Sequence, residues 1–456
     1  MNRRKFIIGT TIAGTSLLAN QTAFANAIIP KGRPNSVLVI GAGFSGLTAA
    51  YLLKKQGIDV KVIEARGRIG GRVFSMKPEG AGGQTIELGA EWVGNSHTSL
   101  IAMCKEFGLE LFNNQFETHL TFEGAYTPAG KWELSKELED FWMKKASVWS
   151  TYSDSAKQKL DKIDWWRWLS NQGFSERDLL LRELMDSTDF GESIRHTSGY
   201  AAFAEYAESS EKNEMDMKIR GGNAMLAEKL ADAIGRENIF LNTKVLEVAQ
   251  NKKTGVTVTC EKAKAYTADK LICTVPTYSL MKINWNPALP QDQIDAMNSL
   301  QYARIAKFPF VFKERFWKEE NFDMITDTPA HYFYHATKNQ PGNTGVLISY
   351  ITGDKVDAMA SMTKEQRQAV ILEALKPAFG DVRKYMIDNL MYYWGTDPYS
   401  KGAYAFYGKG QWFGVMPTLR ESHMHVHFAG EHLADWQGFM EGAINSGEDA
   451  VAEILG

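Results

Sequence analysis

The stretch VLVIGAGFSGLTAAYLLKKQGIDVKVIEAR, Val37 to Arg66, decides the fold class. Val37 to Ile40 form an unbroken apolar run, as expected of a strand buried on both faces of a parallel sheet. Gly41, Gly43 and Gly46 follow in G-x-G-x-x-G spacing, and a helix opens at once through Leu47 and Leu53. Gly57 ends it, and a second strand, DVKVIEA, closes on Glu64. Each part has a purpose: Gly41 permits the tight turn, Gly43 lets backbone approach a pyrophosphate, and Gly46 allows close helix–strand packing. The helix N-terminus offers free N–H groups and a positive dipole to phosphates. Glu64 accepts hydrogen bonds from ribose hydroxyls and repels a 2′-phosphate. The glycine spacing alone is a weak signal. With strand, helix, second strand and terminal acid around it, the signal is specific.

Working outward, the chain has 456 residues, 44% hydrophobic and 23% charged, which suits two or three soluble domains. A net charge of −3 gives no electrostatic case for nucleic acid or an anionic membrane. No stretch beyond the N-terminus reaches the ~20 apolar residues of a membrane span. The first residues, MNRRKFIIGTTIAGTSLLANQTAFANA, combine a basic start, an apolar run and Ala23-Phe24-Ala25. That is a secretory signal pattern. Arg3-Arg4-Lys5-Phe6 resembles a twin-arginine export signal, so residues 1–25 are expected to be removed and the mature protein to be periplasmic. Cys104, Cys260 and Cys273 are widely spaced and imply no disulfide framework.

The dinucleotide unit grips an ADP half common to FAD and NAD and does not choose between them. The next residues do. Arg66, Arg68 and Arg72 surround Gly70-Gly71, a second glycine-rich basic loop beside the first. The string Val37 to Arg72 resembles the flavin-containing amine oxidases: monoamine oxidases, polyamine oxidases and L-amino-acid oxidases. The resemblance continues through IELGAEWVG (Ile86 to Gly94), IRGGNAMLAEKLADAI (Ile219 to Ile234), LICTVPTYSLMKINWNPALP, and HFAGEHLADWQGFMEGAINSG (His427 to Gly447). It implies FAD as cofactor. It places Gly41, Gly43, Phe44, Ser45, Gly46, Glu64, Ala65, Arg66, Gly71 and Arg72 on the cofactor. With them come Gly89, Ala90, Glu91 and Trp92, Val245 through its backbone, and Trp394. Gly430, Glu431, Phe439, Met440 and Ala443 complete the set from the chain's end.

The resemblance implies an α/β fold: a Rossmann-like FAD-binding domain from 35–95, 219–285 and 397–456, with an interleaved α+β substrate domain from 96–218 and 286–396. Trp165, Trp166 and Trp168 in the first insertion read as helix-packing residues. KEQRQAVILEALKPAFG, Lys364 to Gly380, reads as one helix. His423, His425 and His427 alternate, so they read as the polar face of a half-buried strand and not as metal ligands.

In RIAKFPFVF, strand alternation puts Ile305, Lys307 and Val311 on one face and Phe308, Phe310 and Phe312 on the other. By resemblance, Lys307 matches the lysine that holds a water against flavin N5. A plainer reading makes it a snorkelling edge-strand lysine beside Pro309. Tyr404 and Phe439 match the two aromatics that flank the amine. Ala403 stands where animal monoamine oxidases carry the cysteine bonded to flavin, so FAD is expected to be non-covalent. The implied reaction is hydride transfer from an amine α-carbon to N5, followed by imine hydrolysis, with O₂ or an electron-carrier protein as acceptor. An L-amino-acid oxidase is the alternative, although Asn95, Ser96 and His97 follow the ELGAEWVG segment where that group tends to have an arginine. Remoter are a flavin-dependent desaturase or a non-catalytic flavoprotein. No metal is called for, and a homodimer is left open.

Overall fold

Strand Ser36–Ile40 satisfies both of its edges with segments distant in sequence. It pairs in parallel with Asp59–Ile63 on one side and Lys270–Cys273 on the other. Val426–Phe428 and Ile239–Phe240 extend the two edges, giving a five-stranded all-parallel sheet. The computed structural model describes residues 33–209 and 215–456, so the expected leader at 1–25 lies outside the described residues.

Helix Phe44–Lys55 lies against this sheet because Gly46 lets it. A Cβ there would stand 2.0 Å from the carbonyl oxygen of Gly41. Gly41 itself turns with φ +107°, a value side chains other than glycine's rarely accept. The C-terminal helix Met440–Leu455 then packs along Phe44–Lys55. A Cβ on Gly447 would meet the Ser45 carbonyl oxygen at 2.5 Å, and Ser45 Oγ lies 3.2 Å from Ser446 Oγ. The first and the last of the described helices meet at the glycine turn.

A four-stranded sheet sits beside the first, in the order Ala265–Ala268, Gly255–Cys260, Val245–Asn251, Asn284–Asn286. The largest sheet runs Met386–Asn389, Ile305–Phe312, Gly345–Thr352, Tyr332–His335, Phe322–Thr326, Glu117–Phe122 and Ala125–Thr127. It draws strands from both long insertions. Ile305 and Val311 enter one apolar cluster, while Phe308, Phe310 and Phe312 enter another on the opposite face. Ile305–Phe312 is interior and not an edge, so the snorkelling reading of Lys307 is corrected: its side chain is buried between neighbouring strands. Pro309 has no N–H to donate, and its carbonyl accepts from Leu390 N at 3.1 Å.

Two further expectations change. The histidine triplet does not share a strand face. Met424 adopts φ +57° and closes a tight turn in which His423 and Val426 exchange backbone hydrogen bonds, so the strand begins only at Val426. His425 Nε2 lies 2.9 Å from Asn251 O, and His427 Nδ1 lies 2.9 Å from Glu453 Oε2. Among the described residues no group of three His, Cys, Asp or Glu is placed to hold a metal. The expected helix from Lys364 is also broken: Lys364–Ala374 is followed by a separate turn, Lys376–Phe379. Pro377 opens that turn, since a proline lacks the N–H an unbroken helix needs. Trp165 and Trp168 stack at 4.9 Å inside the helical layer, while Trp166 lies under the Arg195 guanidinium. Among the described residues no helix is long and apolar enough to cross a membrane.

The backbone contact at Gly46 predicts that Gly46→Ala lowers stability by about 1–3 kcal/mol in chemical denaturation and reduces the flavin content of purified protein. Gly414→Ala, where nothing lies within 4 Å, should stay within about 0.5 kcal/mol of the parent.

Candidate active site

One cavity of about 1000 Å³ begins at the glycine turn and runs beneath the large sheet to the helical layer. Every residue nominated from the sequence as catalytic or cofactor-binding lies on its wall, with the single exception of Gly46. That exception has a reason, because Gly46 faces the strand beneath the helix.

At the cavity's nucleotide end no side chain caps helix Phe44–Lys55, and its first turn holds no acid. The N–H groups of that turn are available to phosphate oxygens. Gly43 and Gly71 lie back to back: a Cβ on Gly71 would be 3.1 Å from Gly43 Cα. The Glu64 carboxylate is held by Ala42 N and Arg66 N, both at 2.8 Å, which aims its remaining lone pairs into the cavity. Arg66 pairs with Asp397 at 2.6 Å. Arg72 donates to Ala403 O and to Glu431 Oε1, at 2.6 and 2.5 Å. Glu431 also accepts from Ala405 N and Gly438 N, so one carboxylate ties the second glycine loop to both segments of the far wall. The acceptor Gln437 Oε1 is buried on the wall without a partner. An uncapped helix start, two bare glycine backbones and an orphaned acceptor fit the dinucleotide and ring of FAD.

Further along, Lys307 lies on the same wall. Its ammonium donates to Glu87 O at 3.1 Å, Gly89 O at 2.9 Å and Glu91 Oε2 at 2.9 Å. The resemblance expects a lysine holding a water; here all three protons already have protein acceptors. Glu91 also takes Tyr334 Oη at 2.5 Å and Lys218 Nζ at 3.0 Å. Burial opposes its charge, yet the two lysines outweigh that and hold its carboxyl below the ordinary value. Trp394 Nε1 donates to Leu88 O at 2.9 Å. Tyr404 Oη donates to Asp189 O at 2.7 Å, with Tyr350 Oη 3.2 Å away, and its ring lies against the bare backbone of Gly438. Phe439 packs edge-on to Trp436 and leans on His97, at 5.5 and 5.4 Å between centroids. Both rings are half-buried and face the cavity. Helix Met440–Leu455 begins here, but Glu441 in its first turn is bent away to cap Ser99 N and Leu100 N at 3.0 and 2.8 Å.

The far arm was not read from the sequence. Arg182, Asp186, Asp189, Tyr206, Asp323 and Tyr332 line it. Arg182 is committed to Asp186 and to the Trp142 ring, 3.7 Å away. Asp189 is exposed along the cavity and held by Tyr206 Oη at 2.7 Å; the surrounding protein walls displace bulk water and raise the carboxyl to about 6. Asp323 is deeper. Tyr332 Oη donates to Oδ2 at 2.7 Å, Oδ1 makes no hydrogen bond of good geometry, and burial pushes the carboxyl up to about 7 against the smaller opposing influence of Tyr332, the Thr118 hydroxyl and Lys338. A lone acid inside the apolar run NFDMIT was the available signal. Lys218 in MKI carries the same signal.

Residues 44–455 match the family described as flavin containing amine oxidoreductase. Human flavin-containing amine oxidase B is 26% identical over 464 residues, covering 92% of this chain and 86% of its own length. The L-amino-acid oxidase of Demansia vestigiata is 26% identical over 473 residues, covering 94% and 88%. Among solved structures, wild-type putrescine oxidase bound to putrescine matches with a TM-score of 0.82 at 26% identity, over 92% of this chain and 99% of that one. The glycine turn, the cavity wall and the whole-length match lead to one conclusion: the chain belongs to the flavin-containing amine oxidoreductase family.

Proposed function

We propose that this protein is an FAD-dependent amine oxidase with a non-covalent flavin, and that its preferred substrates carry a second cationic centre, as diamines do. The observation that carries the substrate class is Asp323, a buried carboxylate with one oxygen making no hydrogen bond of good geometry, on the wall of the cavity's far arm. FAD, when bound, supplies the hydride acceptor. The chain supplies the rest. Tyr404, Phe439, Tyr350 and Ile305 offer the reacting amine an apolar slot, which favours its neutral form. Asp323 and Asp189 offer a distal ammonium the charged acceptors it needs. The putrescine-bound neighbour is consistent with that class.

An amino-acid substrate is best held by an uncommitted arginine, whose fork pairs a carboxylate through two hydrogen bonds. The three arginines on the cavity wall, Arg66, Arg72 and Arg182, each hold a carboxylate of the protein already. Arg195 and Arg304 lie elsewhere: the first stacks on Trp166, and the second pairs with Glu192, Asp354 and Asp357. The amine reading is therefore favoured over the L-amino-acid oxidase reading. For the flavin bond, Ala403 has no nucleophile and no cysteine lines the cavity. All three cysteines are buried, which raises Cys104 and Cys273 to about 12 and Cys260 to about 11. The proposal also includes O₂ or a carrier protein as terminal acceptor and export by the leader at 1–25, which suits an enzyme loaded with cofactor before leaving the cytoplasm.

Anaerobic titration of purified protein with amines should bleach the flavin band; a band unmoved by any amine refutes the reading. Acid precipitation should leave the flavin in the supernatant, and a yellow pellet would refute the non-covalent assignment. The substrate class predicts a pH dependence. Below about 7 Asp323 is protonated and neutral, and above it the carboxylate is ionised, so the kcat/KM ratio of a diamine to its matched monoamine should rise with pH through about 7. Asp323→Asn should flatten that rise and lower the high-pH ratio about tenfold. An unchanged ratio in the variant refutes the distal-ammonium assignment.

A further inference from the structure

Two lysines and two glutamates, Lys218, Lys307, Glu87 and Glu91, are buried together where the ELGAEW segment crosses the large sheet. Glu91 and Lys307 line the cavity; Lys218 does not. Lys218 comes from strand Met217–Ile219, which pairs with Leu111–Asn113, and it reaches Glu91 from behind. The carboxylate therefore sits between two ammonium groups, Lys218 on Oε1 and Lys307 on Oε2. The surrounding groups are fixed as well. Glu87 takes Ser75 Oγ and Asn223 N, and burial raises its carboxyl. Tyr334 donates to Glu91, and His335 on the same strand is kept neutral by burial, its pKa lowered to about 3. Burial alone would lower Lys218, but Glu91 and Glu87 outweigh it and hold the ammonium above its ordinary value. Lys307 is lowered by burial, and Glu91 is the main influence opposing that.

We propose that Lys218 is a positioning residue for amine oxidation: it keeps Glu91 ionised, and through Glu91 it keeps Lys307 a fixed, fully hydrogen-bonded ammonium on the cavity wall. This rests on the FAD-dependent reading above. A buried carboxylate that loses one of its two cations is relieved by taking up a proton. Lys307 then loses its only charged acceptor, and its own burial favours the neutral amine. The fixed positive charge that a reduced, anionic flavin would feel from this wall weakens. Lys218 is not on the cavity wall; its hydrogen bond is to Glu91, and its charge also acts on Glu87 and, as a like charge, on Lys307.

The experiment compares holoenzyme carrying Lys218→Met with the double variant Glu91→Gln/Lys218→Met. The single variant should show a lower flavin midpoint potential by spectroelectrochemical titration. Flavin reduction at saturating amine should be about tenfold slower, with amine affinity within about twofold of the parent. In the double variant the side chain at position 91 is neutral, as a protonated Glu91 is, so Lys307 lacks a charged acceptor in both; the double should match the single in potential and rate, Lys218→Met adding nothing once Glu91 is gone. In flavin-free protein the single variant should melt below the double. A single variant with the parental potential overturns the proposal, and so does a double variant that recovers it. Recovery of holoprotein from the double variant alone supports the coupling; failure of both counts against it. Wild-type flavin that no amine bleaches would defeat the amine-oxidase reading, while the comparison of potentials would still stand or fall on its own.

Discussion

Contact of backbone on backbone at the first glycine turn is the constraint from which the rest of this structure follows. Gly46 presses on the Gly41 carbonyl, and Gly447, some four hundred residues later, presses on Ser45. Neither approach leaves room for a Cβ. The first holds helix Phe44–Lys55 tight on its strand. The second brings the C-terminal helix across it. Because the sheet is parallel, its strands must be joined by long crossovers, and here those crossovers hold the large sheet and the helical layer. A cavity between the dinucleotide sheet and the large sheet is the geometric consequence.

Once the two helices meet, charge fixes the wall. Arg72 and Glu431 join the glycine loop of the N-terminal half to the closing segment. Glu431 spends both oxygens on this, one on Arg72 and Ala405 N and the other on Gly438 N. The resemblance places Glu431 on the cofactor. In the structure it faces the cavity, but its hydrogen bonds are with the protein, so it acts first as a tie between walls. Glu441 behaves similarly, giving its carboxylate to a neighbouring helix start and not to its own.

The two ends of the cavity differ in what they leave unsatisfied. At Lys307 all three ammonium protons have acceptors and both oxygens of Glu91 hold a lysine, which makes a charged floor. In the far arm a carboxylate oxygen of Asp323 makes no hydrogen bond of good geometry, at a cost normally accepted only where something else completes it. A matched floor beside an incomplete arm is the asymmetry on which the proposed preference for diamines rests.

The dinucleotide unit was legible from Val37 to Arg66 alone, because turn, helix start and terminal acid are local and each depends on residue types at fixed spacing. The same locality made Gly71, Glu91 and Gly438 recognisable as parts of a familiar pattern. What failed were inferences of regular backbone through Met424 and Pro377, where one positive φ and one missing N–H interrupt a periodicity that composition alone does not show interrupted. Tertiary structure alone decided the partnership of Lys218 with Glu91, the interior place of Lys307's strand, the commitment of every cavity arginine, and the acidity of the far arm. Those depend on which distant segments face one another, and on how much water is excluded between them, and neither quantity is carried by the spacing of residues along a chain.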